Sequence, residues 1–233
     1  MSVVRAHVGE PNINNNMTHI VETKIIDDFL TEEELAALNA EFVKIEMRKP
    51  IVSYQPDGTL STKIFGLNKY QPWYTNIIRP KLDSHFSKDL EIFDPHILNS
   101  YYPYSMHTDG LDSGTDNVTR YSSWTFVIPL DTYDSYTILF NEYDTTTKQV
   151  GQYVKNNPTA KIQNQMSDEF VAQHLSHNNP EFMKYFTLEA MYKWNKRSCF
   201  ATSRYKFHGS DFYLKNGVTM KRGIIMWGTL PLI

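Results

Sequence analysis

Hydrophobic positions follow two different spacings along this chain, and the change comes near residue 96. In the first part, "HIVETKIIDDFL" carries apolar Ile20, Ile25, Ile26 and Phe29 and predicts a strand. Leu35, Leu38 and Phe42 then recur at helical spacing and predict a helix. Thr31 with Glu34 three residues on forms a capping box that would start it. "PDG" signals a turn between two short extended pieces. "WYTNIIRPKLDSHF" predicts a second helix, with Pro80 as a break or as its first-turn residue. From residue 96 the runs are short, aromatic or β-branched and separated by turn chemistry: "HILNSYY", "RYSSWTFVIPL", "SYTILFNE", "CFATSRYKFHGS" and "VTMKRGIIMW". Between the third and fourth lies a block, about 145–195, whose part "SDEFVAQHLSHNNPEFMKYFTLEAMYKW" predicts helix.

The pattern therefore predicts a mainly β fold with flanking helices (α+β). A jelly roll, or another β-sandwich, is its natural closed form. We expect a single domain over residues 1–233. In it, 1–18 is a loose asparagine-rich segment, 19–95 a helical support region and 96–233 the β core, with the helical insertion inside it.

Composition narrows the setting more than the chemistry. The formal charge of −3 gives no general pull toward nucleic acid or an anionic membrane. No apolar run approaches the roughly 20 residues of a membrane span. The first residues lack the apolar core of a signal peptide. Cys199 is the single cysteine, which points to a reducing compartment, the cytoplasm by default. The 15 tyrosines and 13 phenylalanines suit strands and a ring-lined pocket.

One stretch offers chemistry: "NSYYPYSMHTDG", Asn99 to Gly110. On a strand His107 and Asp109 project to the same face, so one strand end can present an imidazole and a carboxylate to one ion. By itself the pair better describes a surface strand end turning at Asp109-Gly110. A third ligand has candidates in His208, late in the β unit, and in His174 and His177, three apart in the insertion. Further on, Arg222 heads an alternating face with Ile224 and Met226, while Lys221, Gly223, Ile225 and Trp227 take the other. An arginine on an apolar face suggests a buried anion held by two parallel hydrogen bonds. A strand register shifted by one would hand that role to Lys221.

His-x-Asp early in a β unit, a lone His late and a basic residue one strand further on resemble the 2-oxoglutarate/Fe(II)-dependent dioxygenases, in the prolyl-hydroxylase-like group. "LNSYYPYSMHTD" is similar to that family's approach to its first ligand, and "IIDDFLTEEELAAL" to its opening segment. The resemblance implies a double-stranded β-helix, with His107, Asp109 and His208 as the metal triad. It implies Arg222 at the far carboxylate of 2-oxoglutarate and Tyr101 as a hydrogen-bond partner of the cosubstrate. It implies Fe(II), 2-oxoglutarate and O₂ as requirements, hydroxylation of a small-molecule or peptide substrate, and release of succinate and CO₂. The competing expectation is a jelly-roll binding or structural protein with His107 and Asp109 as rim residues.

Overall fold

The computed structural model describes residues 21–46, 48–66, 70–110, 121–157, 162 and 165–231; the asparagine-rich segment 1–18 lies outside them. The chain opens with a short strand, β1 (Lys24–Ile26), and a helix, α1 (Glu32–Glu46). The capping box forms as expected: the Thr31 N–H reaches Glu34 Oε2 at 2.8 Å and the Glu34 N–H reaches Thr31 Oγ1 at 3.1 Å. Helical spacing then buries Leu35, Leu38, Phe42 and Ile45 on one face. Leu38 and Phe42 are wholly buried, worth about 1.5–3 kcal/mol each. "PDG" joins β2 (Ile51–Tyr54) to β3 (Leu60–Phe65), with Gly58 at φ 84 supplying the left-handed turn residue. The second expected helix is a π-helical turn, Tyr74–Ile78, running directly into α2 (Arg79–His85), with Pro80 in the first turn of α2.

The remaining elements are β4 (Glu91–Ser100), β5 (Tyr121–Pro129), β6 (Tyr136–Tyr143), α3 (Val150–Asn156), α4 (Asp168–His174), α5 (Pro180–Met183), β7 (Leu188–Lys193), β8 (Cys199–Ser203), β9 (Lys206–Ser210), a 3-10 turn (Tyr213–Asn216) and β10 (Lys221–Pro231). The strands pair antiparallel in two sheets, ordered β1-β8-β5-β10-β4-β3-β2 and β7-β6-β9. This is the two-sheet arrangement of a jelly roll, left open rather than closed into a barrel.

Three apolar layers follow. Helices α1 and α2 pack on the outside of the large sheet, against Ile97, Phe126, Ile128, Ile224 and Met226. A middle layer, Val127, Leu139, Tyr192, Trp194 and Phe200, lies between the sheets. The insertion covers the outer face of the small sheet, where Ile138, Phe140 and Phe207 meet Val150, Leu175 and Met183.

Three expectations are corrected. "LEAMYK" reads as helix but is β7, because pairing with β6 outweighs local propensity. "CFATSRYKFHGS" is two strands in different sheets, β8 and β9, turning at Arg204-Tyr205. The N-terminal region is not only helical support, since β1, β2 and β3 extend the large sheet at both edges.

Candidate metal centre

His107 sits where the chain crosses β9. The two backbones exchange hydrogen bonds, His107 N–H to the His208 carbonyl and His208 N–H to the His107 carbonyl, both 2.9 Å. That antiparallel bridge fixes two imidazoles side by side, ring centroids 4.7 Å apart. Asp109, two residues on, shares the face, as strand parity requires. Its Oδ1 lies 3.5 Å from His107 Nε2 and its Oδ2 3.3 Å from His208 Nε2. One ligand atom from each of the three residues falls within 4.8 Å of the others. The sequence-derived triad is thus brought together.

The donor set fits a first-row divalent ion. His107 Nδ1 is 2.7 Å from the Ser105 carbonyl and His208 Nδ1 is 3.0 Å from the Lys206 carbonyl. A carbonyl only accepts, so each Nδ1 carries the proton and each Nε2 is left to bind metal. Thr125 Oγ1 donates to Asp109 Oδ2 at 2.7 Å, fixing the carboxylate. Burial opposes the charge on Asp109, but the His208 and His107 rings outweigh it and hold the carboxyl well below its usual range. Burial likewise opposes charge on His208, and Asp109 reverses the balance, so its pKa is raised. Two imidazoles and one carboxylate on one side of an ion leave its other positions open.

Gly209 makes the crossing possible. A Cβ there would stand 3.2 Å from Met106 Cα, Met106 N and the Tyr104 carbonyl oxygen. These are backbone atoms and cannot swing aside, so Gly209→Ala is expected to push the His107 strand away. The check is a metal titration: affinity should fall about tenfold or more, and wild-type affinity would show that the crossing absorbs the methyl.

The basic residues behave differently from expectation. Alternation along β10 holds, but the face of Arg222, Ile224 and Met226 looks out at the helices. Arg222 Nη2 pairs with Glu46 Oε1 at the end of α1 at 2.8 Å, and its Nε donates to Asn99 Oδ1 at 3.2 Å. Arg222 is therefore not brought to the triad; its anion is a side chain of α1. Arg222→Ala is expected to cost about 1 kcal/mol of stability and to leave binding at the triad unchanged, as thermal melts and a metal titration would show.

Lys221 faces inward instead and is 1% exposed. Its Nζ lies over the rings of Trp194 (4.1 Å) and Tyr213 (4.7 Å), with Ser210 Oγ at 3.4 Å. Burial drives its pKa down to about 7, against a partial pull upward from Asp211. A buried ammonium with one long hydrogen bond and two ring faces is a cation short of an anion. Ser210 is two residues from His208 on the same strand face, so the ammonium stands roughly 7 Å along β9 from the metal ligand.

Lys63 Nζ lies 5.5 Å above the Tyr101 ring. The tyrosine beside the site is Tyr104, whose ring is 5.8 Å from that of His107 and whose hydroxyl burial raises in pKa. The crowded "YYPY" gave no sign of which ring turns inward. Neither His174 nor His177 is a ligand. His174 packs on Tyr136 and Phe170, and His177 Nε2 reaches the Tyr104 carbonyl at 3.2 Å, bracing the strap before His107. His96 is buried between the sheets with its Nδ1 2.6 Å from the Asp94 carbonyl.

No family model matches the chain, and no curated protein matches it. Solved structures do. The epimerase SnoN, in complex with Fe3+, alpha ketoglutarate and nogalamycin RO, aligns at TM-score 0.54 with 11% identity, over 89% of this chain and 78% of that one. HygX from Streptomyces hygroscopicus, with nickel and 2-oxoglutarate bound, aligns at TM-score 0.54 with 11% identity, over 91% and 83%. The alpha ketoglutarate dependent carbocyclase SnoK aligns at TM-score 0.52 with 13% identity, over 88% and 79%. The chain shares the jelly-roll fold of these structures, of which SnoN and SnoK are non-heme, alpha ketoglutarate dependent enzymes. Among the described residues no helix is long and apolar enough to cross a membrane.

Proposed function

We propose that this protein is an Fe(II)- and 2-oxoglutarate-dependent oxygenase that hydroxylates a small molecule. One observation carries the reading: a His-Asp-His triad whose ligand atoms lie within 4.8 Å of one another has a buried lysine at Ser210, two residues along β9 from His208. That spacing suits a short dicarboxylate, chelating at the triad and ending at the ammonium. Fe(II) bound there with 2-oxoglutarate and O₂ would supply oxidative decarboxylation to succinate and CO₂, one atom of O₂ entering succinate and the other replacing a substrate C–H by C–OH.

The chain's own residues do the rest. His107, Asp109 and His208 would hold the ion. Lys221 neutralises the distal carboxylate, taking the role the sequence first gave Arg222. Trp194, Tyr213 and Leu139 close that end against water, so the charge pair forms in a low dielectric where it is strong. A small-molecule substrate is favoured by the ligands of the structural neighbours, nogalamycin RO and hygromycin B. The finer grouping with prolyl hydroxylases rests on short motifs alone and adds nothing to this reading.

The test is anaerobic addition of Fe(II) and then 2-oxoglutarate to the purified protein. A weak visible band should appear in wild type and not in Asp109→Ala, and admitting oxygen should release succinate. Absence of both iron retention and the band would leave a jelly-roll binding protein.

A further inference from the structure

The strand bearing the first two ligands has only a short ladder. His107 bridges both His208 and Gln149, the Thr108 N–H donates to the Lys148 carbonyl at 3.2 Å, and regular pairing then stops, with Asp109 outside any strand. Its backbone is held by one residue instead, at the turn between β8 and β9. The Asp109 N–H donates to the Arg204 carbonyl at 2.8 Å. In return Arg204 Nη2 and Nε donate to the Asp109 carbonyl at 2.7 and 3.1 Å. The guanidinium carbon lies 5.0 Å from the Phe93 ring and 5.8 Å from the Trp227 ring. Arg204 is 3% exposed, and no carboxylate of the described residues pairs with it. A buried cation spent on one backbone carbonyl is costly unless that carbonyl must be fixed.

We propose that Arg204 is the positioning residue for the metal-binding carboxylate: it locks the Asp109 backbone in place of a strand ladder, so that Thr125 and the two imidazoles meet a fixed carboxylate. The inference rests on the metal-centre reading. It also makes Arg204, rather than Arg222, the arginine that serves the site. The β8–β9 hairpin then templates the whole triad: His208 pairs with His107, and Arg204 with Asp109.

Cobalt(II) is a suitable probe, because its affinity and its visible spectrum report ligand geometry without turnover. Arg204→Met keeps the stem between the rings and removes both donors; Arg204→Gln keeps one donor. Co(II) affinity is expected to fall about ten- to a hundredfold in Arg204→Met, the range seen when a residue supporting a metal ligand is removed. Arg204→Gln should fall in between, with both spectra shifted from wild type. Wild-type affinity and spectrum in both variants, or loss of the fold in both, would make Arg204 a residue of the scaffold only and overturn the proposal. If wild type itself binds no Co(II), the metal centre fails and this inference with it. If wild type binds and both variants bind equally well, only the role of Arg204 fails.

Discussion

Replacing Lys221 with methionine is expected to weaken 2-oxoglutarate binding by a hundredfold or more while making the folded chain more stable. The two effects share one cause. The ammonium is 1% exposed, has Ser210 Oγ as a distant partner and otherwise faces rings. Without a ligand anion the buried charge is offset only in part by Asp211; with one it makes a desolvated, charge-assisted pair. Losing that pair costs about 3 kcal/mol of binding, or about 150-fold. Methionine has similar length and fills the same space, so the free protein loses mainly the penalty, which is on the order of several kcal/mol for a lysine lowered from 10.5 to about 7. Each kcal/mol recovered raises the melting temperature by about 2–4 °C at this size. Calorimetric titration of 2-oxoglutarate into Ni(II)-loaded protein and thermal melts of the metal-free protein read the two halves. Unchanged affinity would remove Lys221 from the site; a lower melting temperature would mean the ammonium is well partnered without ligand.

The same residue sets a pH dependence whose sign can be worked out. Its folded pKa, about 7, lies below the unfolded value of 10.5. Between them the unfolded chain binds more protons, so this group's contribution to stability rises with pH. The penalty is full below pH 7 and relieved as pH approaches 10.5. The advantage of Lys221→Met over wild type should therefore shrink across that window. A bound carboxylate draws the lysine back to its charged form, so binding takes up a proton above pH 7. Affinity should fall with rising pH by up to tenfold per unit in wild type, from this group, and not in Lys221→Met.

The triad was legible in the sequence because period-two parity is a local rule: if His107 and Asp109 lie on an extended segment, they share a face whatever surrounds them. His208 was legible from order, since a late strand can return beside an early one. Arg222 shows where such rules stop. Alternation sorts β10 correctly into two faces, but it does not say which face looks between the sheets. An apolar face normally signals the interior, yet here α1 and α2 cover the outside of the large sheet, and Ile224 and Met226 are apolar for that contact. The inward face carries Lys221, Gly223 and Trp227 and reads as the wetter one. Arg204 was hidden for a different reason. "ATSRYKFH" has neither glycine nor proline at its turn, so it scans as one strand, and the residue at the crossing looks like any exposed arginine. Gly209 was visible only as part of "HGS"; its need for space comes from a segment about a hundred residues earlier in the chain.

Removing the Asp109 carboxylate is expected to have the largest effect on the metal centre. Two neutral imidazoles and a carboxylate give a divalent ion one compensating charge and three bonds; Asp109→Ala leaves two bonds and no charge. Co(II) affinity should fall more than about a thousandfold, well beyond the loss from a supporting residue. Metal at a hundred times its dissociation constant stabilises a protein by about 2.7 kcal/mol, so wild type should melt about 5–10 °C higher with Co(II) present. Asp109→Ala should show no shift at the same concentration. Asp109→Asn separates charge from shape: it keeps one oxygen in place but presents an uncharged amide, and should recover only part of the shift. Thr125→Val sharpens the comparison, because it deletes the 2.7 Å hydrogen bond to Oδ2 and nothing else at the ligand. Its loss should be about tenfold. A full Co(II) shift in Asp109→Ala would place the ion on other groups and break the link between the His-x-Asp strand and the chemistry.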